Sequence, residues 1–177
     1  MVFGLGHLIG GWIFGRIWQI LNKIKLDSST WFCLLLAAIL PDIDFLIDWT
    51  FGLKIHRTFT HSFLFAIMAG LVFYMIFSFL RKNGNKKYFG DINPIQIGLA
   101  FFIGISSHLF FDAISSPGVP LFWPLSKYFS IFGITSFAGS AISEYPLTIK
   151  SIYWAIFDMG LGSFWILWMT LRGRLKP

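Results

Sequence analysis

Residues 62–80 read SFLFAIMAGLVFYMIFSFL, a run without a single charged side chain. An α-helix rises about 1.5 Å per residue, so about 20 apolar residues span the hydrocarbon core of a bilayer. The stretch therefore predicts a transmembrane helix, and it is the clearest such signal in the chain.

The composition of the whole chain supports this prediction. Of the 177 residues, 56% are hydrophobic and 12% are charged, and the mean hydropathy is +0.71, whereas soluble domains carry about 25% charged residues. A chain this short cannot bury so much apolar surface in its own interior. Lipid is therefore its expected surroundings. The single cysteine, Cys33, excludes an intramolecular disulfide and a cysteine-based metal site.

Four further stretches are long and apolar enough to span the membrane, namely residues 2–21, 31–49, 95–115 and 150–171. Each contains or ends at charged residues. An ionisable side chain in hydrocarbon costs at least about 2.5–3.5 kcal/mol, so these charges need a partner or a function. The sequence predicts an all-α integral membrane bundle of about five transmembrane helices, built as a single domain over residues 1–177.

The basic residues orient this bundle. The net charge is +6, but the charges lie in short clusters between apolar runs, so we expect membrane orientation rather than nucleic-acid binding. With alternating spans, ten of the 14 basic residues fall on one side. The positive-inside rule then predicts a multi-pass cell-membrane protein with the N-terminus outside and the C-terminus in the cytoplasm. The ten are Arg16, Lys23, Lys25, Arg81, Lys82, Lys86, Lys87, Arg172, Arg174 and Lys176.

The same topology brings every histidine and several aspartates to the outer face. His108 and Asp112 are four residues apart, so a helix presents them on one side. Pro41 breaks or kinks the second helix and frees the carboxylates that follow it, and Thr60 is a predicted N-cap for the third span. The residues that share this face are His7, Asp42, Asp44, His56, His61, His108 and Asp112.

Imidazole and carboxylate groups without thiolates suit zinc, manganese or iron(II). Two or more carboxylates also make it possible to bridge a pair of ions, which activates water and clamps an in-line displacement at phosphorus. The sequence therefore predicts one or two divalent transition-metal ions, with zinc as the first choice and manganese or iron as alternatives.

These residues, in their order, carry a resemblance to a known family. The motifs are His7, Leu40-Pro41-Asp42-Ile43-Asp44, His56-Arg57-x-x-Thr60-His61-Ser62, Ser107-His108-x-x-x-Asp112 and Phe122-Trp123-Pro124. Together they resemble the YdjM family, membrane-bound proteins described as metal-dependent hydrolases, over nearly the whole chain. The order is more distantly similar to zinc-dependent phospholipases C and single-strand nucleases.

The resemblance implies roles for the individual residues. One metal ion would take Asp44 or Asp42 together with His61, His108 and Asp112, and a second ion would take His7 and share Asp112. By their chemistry, Arg57 is a phosphate clamp or a headgroup anchor, and His56 is a metal ligand or a general acid.

These observations predict a membrane-embedded hydrolase that cleaves a phosphoester of a lipid or lipid-linked substrate with metal-activated water. Arg57, His56 and Asp112 are its predicted catalytic residues. Two alternatives stay open. One is a non-catalytic metal-binding membrane protein or transporter, for which Arg16 and Asp158 are the only candidates for a polar path. The other is a metal-dependent hydrolase of acyl ester or amide bonds.

Overall fold

The computed structural model of the chain describes residues 4–51, 57–84, 91–114, 118–125, 128–130, 160, 162–165 and 167–168. Its helices are α1 (Gly4–Asn22), α2 (Ser28–Ile39), α3 (Ile43–Phe51), α4 (Phe63–Asn83) and α5 (Pro94–Ile114). Short 3₁₀ helices, Leu40–Asp42 and Phe59–His61, precede α3 and α4. Within these ranges the only β-structure is one isolated antiparallel bridge, Val119 to Phe129. The predicted all-α class is confirmed.

The predicted second span, residues 31–49, is not one continuous helix. Helix α2 ends at Ile39, a 3₁₀ turn containing Pro41 follows, and α3 begins at Ile43. Proline lacks the N–H of a helical residue and its ring collides with the carbonyl four residues back, so an α-helix breaks there. The break at Pro41 is the one that the sequence predicted, and it separates the directions of Asp42 and Asp44.

Helix α4 starts later than predicted, and its cap is a different residue. The hydroxyl of Ser62 accepts a hydrogen bond from the Phe65 amide at 3.2 Å, so Ser62 is the N-cap. The prediction that Thr60 caps this helix is therefore wrong. Residues 59–61 form a 3₁₀ turn instead, which delays the first α-helical turn and turns the Thr60 hydroxyl towards the Asp44 carboxylate.

Helix α5 is the centre of the bundle and packs against α1, α2 and α4. Phe101 is 1% exposed. Glycines permit the close approach of its neighbours: Gly104 lies against the backbone carbonyl of Leu34 in α2, and a Cβ added to Gly98 would lie 2.8 Å from the carbonyl oxygen of Gly70 in α4. Small residues at such crossings let helix backbones pack closely, as is usual in membranes.

Two of the described helices, α4 and α5, are long and apolar enough to cross a membrane, and they correspond to the predicted third and fourth spans. Within the most apolar stretch of each helix, 17% of the residues of α4 and 61% of those of α5 are buried. Helix α4 therefore lines the outside of the bundle. Helix α1 covers most of the predicted first span but does not meet the same criterion of length and apolar composition. Most of residues 150–171, the predicted fifth span, lies outside the described ranges. Length and composition thus support two spans.

Candidate metal centre

Four helical elements deliver polar side chains to one end of the bundle. His7 lies in the second turn of α1, and Asp42 ends the 3₁₀ turn after α2. His61 ends the 3₁₀ turn before α4, while His108 and Asp112 lie near the end of α5. The structure thus brings together five of the seven residues that the sequence predicted as ligands, from segments far apart in the chain.

The donor atoms of Asp42, His61, His108 and Asp112 form a compact group, all within 4.8 Å of one another. Five of their six pairwise separations lie between 3.2 and 3.6 Å. Tetrahedral zinc with bonds of about 2.0–2.1 Å holds its ligand atoms about 3.3–3.4 Å apart. Two nitrogens and two oxygens at these separations therefore fit one tetrahedral ion.

The ring of His108 is fixed in the orientation that a ligand needs. Its Nδ1 lies 2.8 Å from the backbone carbonyl oxygen of Ala38, and a carbonyl only accepts, so Nδ1 carries the proton. Nε2 is then left with its lone pair facing Asp42 and Asp112, at 3.5 and 3.6 Å. Outer contacts of this kind set the tautomer of metal-binding histidines.

His61 has the same arrangement, with a carboxylate in place of the carbonyl. Its Nδ1 lies 3.3 Å from Asp44 Oδ2 and 3.1 Å from the Thr60 hydroxyl, and that hydroxyl donates to Asp44. Its Nε2 faces the donor group. Asp44 therefore supports His61 from behind, and Asp42 is the carboxylate that faces the donor group. The sequence left open which of the two binds.

Charged groups are concentrated around His61. Burial lowers the pKa of His61, but the carboxylates of Asp112, Asp42 and Asp44 outweigh burial and raise that pKa from 6.5 to about 10. The imidazole is therefore protonated at neutral pH and balances the buried carboxylates. A divalent cation among the same groups would supply that positive charge and displace the proton.

His7 lies next to this group without joining it. Its ring stacks on His108 with the centroids 3.7 Å apart. Its Nε2 is 3.6 Å from Asp112 Oδ1 and 4.0 Å from Asp42 Oδ2, whereas His61 and His108 face the other oxygen of each carboxylate. One oxygen of each carboxylate thus faces His7, and the other oxygen faces His61 and His108. With this geometry each carboxylate would have a second oxygen available for a further ion near His7.

Arg57 is 3% exposed and directed into the protein. Its Nη2 is 3.4 Å from Asp112 Oδ1, and its Nη1 donates to the Gly118 carbonyl at 3.2 Å. The Tyr128 hydroxyl donates to the Arg57 carbonyl at 2.9 Å. The backbone of Arg57 is in the left-handed region, with φ of 57°. The guanidinium therefore contacts Asp112 and the Gly118 carbonyl, and Tyr128 holds the Arg57 backbone.

Exposure differs sharply among the four donors. The Asp42 side chain is 28% exposed, and those of His61, His108 and Asp112 are 0–1% exposed. Among the four donors, Asp42 is therefore the one that solvent reaches. His56, predicted as a ligand or a general acid, lies outside the described residues.

Sequence reasoning missed the partners that orient the site. The Ala38 carbonyl leaves no sequence signal, because a backbone oxygen is common to every residue. Gly118 did leave a sequence signal, which is a glycine directly after Pro117. In the structure its φ is +88°, a conformation that favours glycine. Tyr128 binds the backbone of Arg57, and its sequence position gives no sign of that contact.

Comparison with known proteins agrees with the motifs. The profile of the YdjM inner membrane protein family matches residues 1–174, which is nearly the whole chain. Neither the curated proteins nor the solved structures contain a match, so the similarity to phospholipases C and nucleases stays a resemblance of motif order. The chain belongs to the YdjM inner membrane protein family.

Proposed function

We propose that this protein is a membrane-embedded, metal-dependent hydrolase that cleaves a phosphoester of a lipid or lipid-linked substrate. The observation that carries the proposal is the position of the Asp42 and Asp112 carboxylates. Each has one oxygen facing His7 and the other oxygen facing His61 and His108. The His61 proton and the Arg57 guanidinium balance these carboxylates in part, and a divalent cation among the same groups would take the place of that proton.

The four donors fit zinc by ligand type and by spacing, with manganese and iron(II) as alternatives. A bound divalent ion would act as a Lewis acid and lower the pKa of a water molecule to near neutrality. A second ion at His7 would find one imidazole nitrogen and two carboxylate oxygens, which leaves room for other ligands. One ion is therefore the expected minimum, and two are compatible with the donor set.

The protein's own groups would perform the remaining tasks. Asp112 is the most connected carboxylate, because it faces His61, His108, His7 and Arg57. Arg57 holds its Oδ1 from the buried side. His7 is near enough to the site to take up a proton from an attacking water when no second ion is bound. Asp42, the exposed member, lies where a substrate would enter.

The proposed location is the outer leaflet of a multi-pass bundle of about five spans, with the N-terminus outside and the C-terminus in the cytoplasm. Helices α1 and α4 begin at the metal centre, whereas α2 and α5 end near it, as expected for helices that alternate in direction. The excess of basic residues at the other end supports the orientation. A site at the headgroup level would accept a lipid from the side.

A non-catalytic metal-binding role is the second candidate, and one observation favours it. Structural zinc sites have four protein ligands, whereas catalytic sites have three and an open position. Asp42, His61, His108 and Asp112 already make four. Hydrolysis of an acyl ester or amide is a further alternative, because the phosphate preference relies on Arg57, whose side chain contacts Asp112 and Gly118.

The test is hydrolysis of lipid extracts by purified protein, with matched phosphate-containing and phosphate-free lipids as substrates. The comparison is between wild type, Asp112→Asn and Asp91→Asn, since Asp91 is an exposed carboxylate outside the metal centre. We expect phosphoester cleavage by wild type and Asp91→Asn and its loss in Asp112→Asn. Metal-replete protein without activity on any lipid would favour the non-catalytic role.

A further inference from the structure

A second feature lies along α4 and α5 and extends towards the end of the bundle opposite the metal centre. Helices α4 and α5 leave a groove between them, with a volume of about 460 Å³ and walls that include Ile67, Leu71, Tyr74, Leu99 and Phe102. Its floor is the contact between Gly70 and Gly98. These walls are apolar over most of their surface, and the groove opens on the outside of the bundle.

The apolar groove lies next to a polar pocket. Tyr74 and Ile95 line both spaces, so the two are adjacent. The polar pocket, also about 460 Å³, adds Ser78, Arg81 and Lys82 from the end of α4 and Asn93 from the start of α5. An apolar channel therefore leads along two membrane-spanning helices to a pair of cations.

The charged residues that line the pocket are of one sign. Arg81 and Lys82 are exposed in the last turn of α4, and among the described residues no carboxylate lines the groove or the pocket. Asp91, an exposed residue nearby in the chain, is not part of either lining. The first turn of α5 adds the partial positive charge of a helix N-terminus. The two basic side chains and the helix N-terminus all attract an anion.

From this juxtaposition we propose that the groove binds one anionic glycerophospholipid, with an acyl chain between α4 and α5 and the phosphate beside Arg81 and Lys82. The hydrophobic channel and the adjoining cations match the two ends of such a lipid. A free phosphate or a soluble anion would use the cations alone and leave the apolar channel without an occupant. The proposal therefore commits to a lipid of the surrounding bilayer.

This lipid is not the substrate of the metal centre. Arg81 lies 18 residues beyond Phe63, the first residue of α4, which at 1.5 Å per residue is about 27 Å along the helix axis. That distance is close to the thickness of the hydrocarbon core, about 30 Å. The lipid would occupy the opposite leaflet, so the proposal does not depend on the hydrolase activity.

The experiment is native mass spectrometry of the purified full chain in detergent, titrated with phosphatidylglycerol or phosphatidylcholine. Arg81→Gln/Lys82→Gln removes the charges of the pocket. Lys23→Gln/Lys25→Gln is the matched control, because it removes two exposed basic residues from the same end of the bundle but outside the pocket. Leu71→Trp fills the groove, and Met75→Trp places the same ring on an exposed position of α4 outside it.

We expect one phosphatidylglycerol per chain, bound more tightly than phosphatidylcholine. Two basic residues near a membrane surface predict a loss of about 30-fold in Arg81→Gln/Lys82→Gln. Leu71→Trp should weaken binding at least about tenfold, from the apolar area that the chain would lose, and both controls should bind as wild type does. Equal weakening by the two charge variants, equal binding of the two lipids, or no effect of Leu71→Trp would each overturn the proposal.

Discussion

The Nε2 atoms of His61 and His108 lie 3.2 Å apart, with both rings held from behind. The Ala38 carbonyl fixes Nδ1 of His108, and the Asp44 carboxylate faces Nδ1 of His61. Two imidazole lone pairs directed at each other repel unless a proton or a cation lies between them. The outer contacts therefore orient both rings towards one shared charge.

The two neighbouring aspartates should differ in their effect on metal binding. Asp42→Asn replaces a charged donor of the four-atom group with a neutral amide, whereas Asp44→Asn weakens only the support of His61. Loss of such an outer partner typically weakens metal binding about 10–100-fold, and loss of a ligand should weaken it more. Zinc competition with a chromogenic chelator measures both. The assignment is wrong if Asp44→Asn is the weaker binder of the two.

Metal binding should release a proton from His61 and strengthen as the pH rises. The pKa of His61 is raised to about 10, so the metal-free protein holds this proton at neutral pH and the ion must displace it. Between pH 7 and pH 9 the affinity should then increase by about tenfold per pH unit. Calorimetry in two buffers of different ionisation enthalpy counts the protons released. His61→Gln serves as the control, and an affinity that is flat with pH in wild type would contradict the assignment.

Arg57→Gln separates two roles of this arginine. If Arg57 positions Asp112, as its 3.4 Å contact indicates, the variant should bind zinc more weakly even without substrate. If Arg57 is a phosphate clamp, zinc binding should be unchanged and KM for a phospholipid should rise. We expect the first result. Arg57→Lys should rescue it only in part, because one ammonium cannot hold both Asp112 and the Gly118 carbonyl.

The helix crossing behind the metal centre should tolerate no side chain at Gly104. A Cβ there would lie 2.7 Å from the Ala37 Cβ and would also collide with the Leu34 carbonyl. Overpacking of this kind typically costs about 1–3 kcal/mol, so Gly104→Ala should lower the thermal unfolding temperature in detergent. Gly4→Ala is the matched control, because a Cβ at Gly4 meets nothing within 4 Å. Equal stability of the two variants would contradict the packing.

Sequence reasoning identified the candidate ligands that the structure brings together but could not assign the roles of adjacent carboxylates. The charge-free run at residues 62–80 and the spacing of His108 and Asp112 are local patterns, and the structure places both as expected. Asp42 and Asp44 are two residues apart across a proline, so their directions depend on the 3₁₀ turn at Pro41. The direction of Arg57 depends on Gly118, 61 residues away. Such long-range contacts follow from packing and are not written in local spacing.

The most direct test of the central claim is the metal content of the chain, measured by elemental mass spectrometry on detergent-purified protein prepared without chelators. The comparison is between wild type, His108→Ala/Asp112→Ala and the control Asp91→Asn. We predict one or two transition-metal ions per chain in wild type and in Asp91→Asn, and their loss in the double variant. Wild-type protein that is folded but holds no metal, even after reconstitution with zinc, manganese and iron(II), would contradict the metal centre.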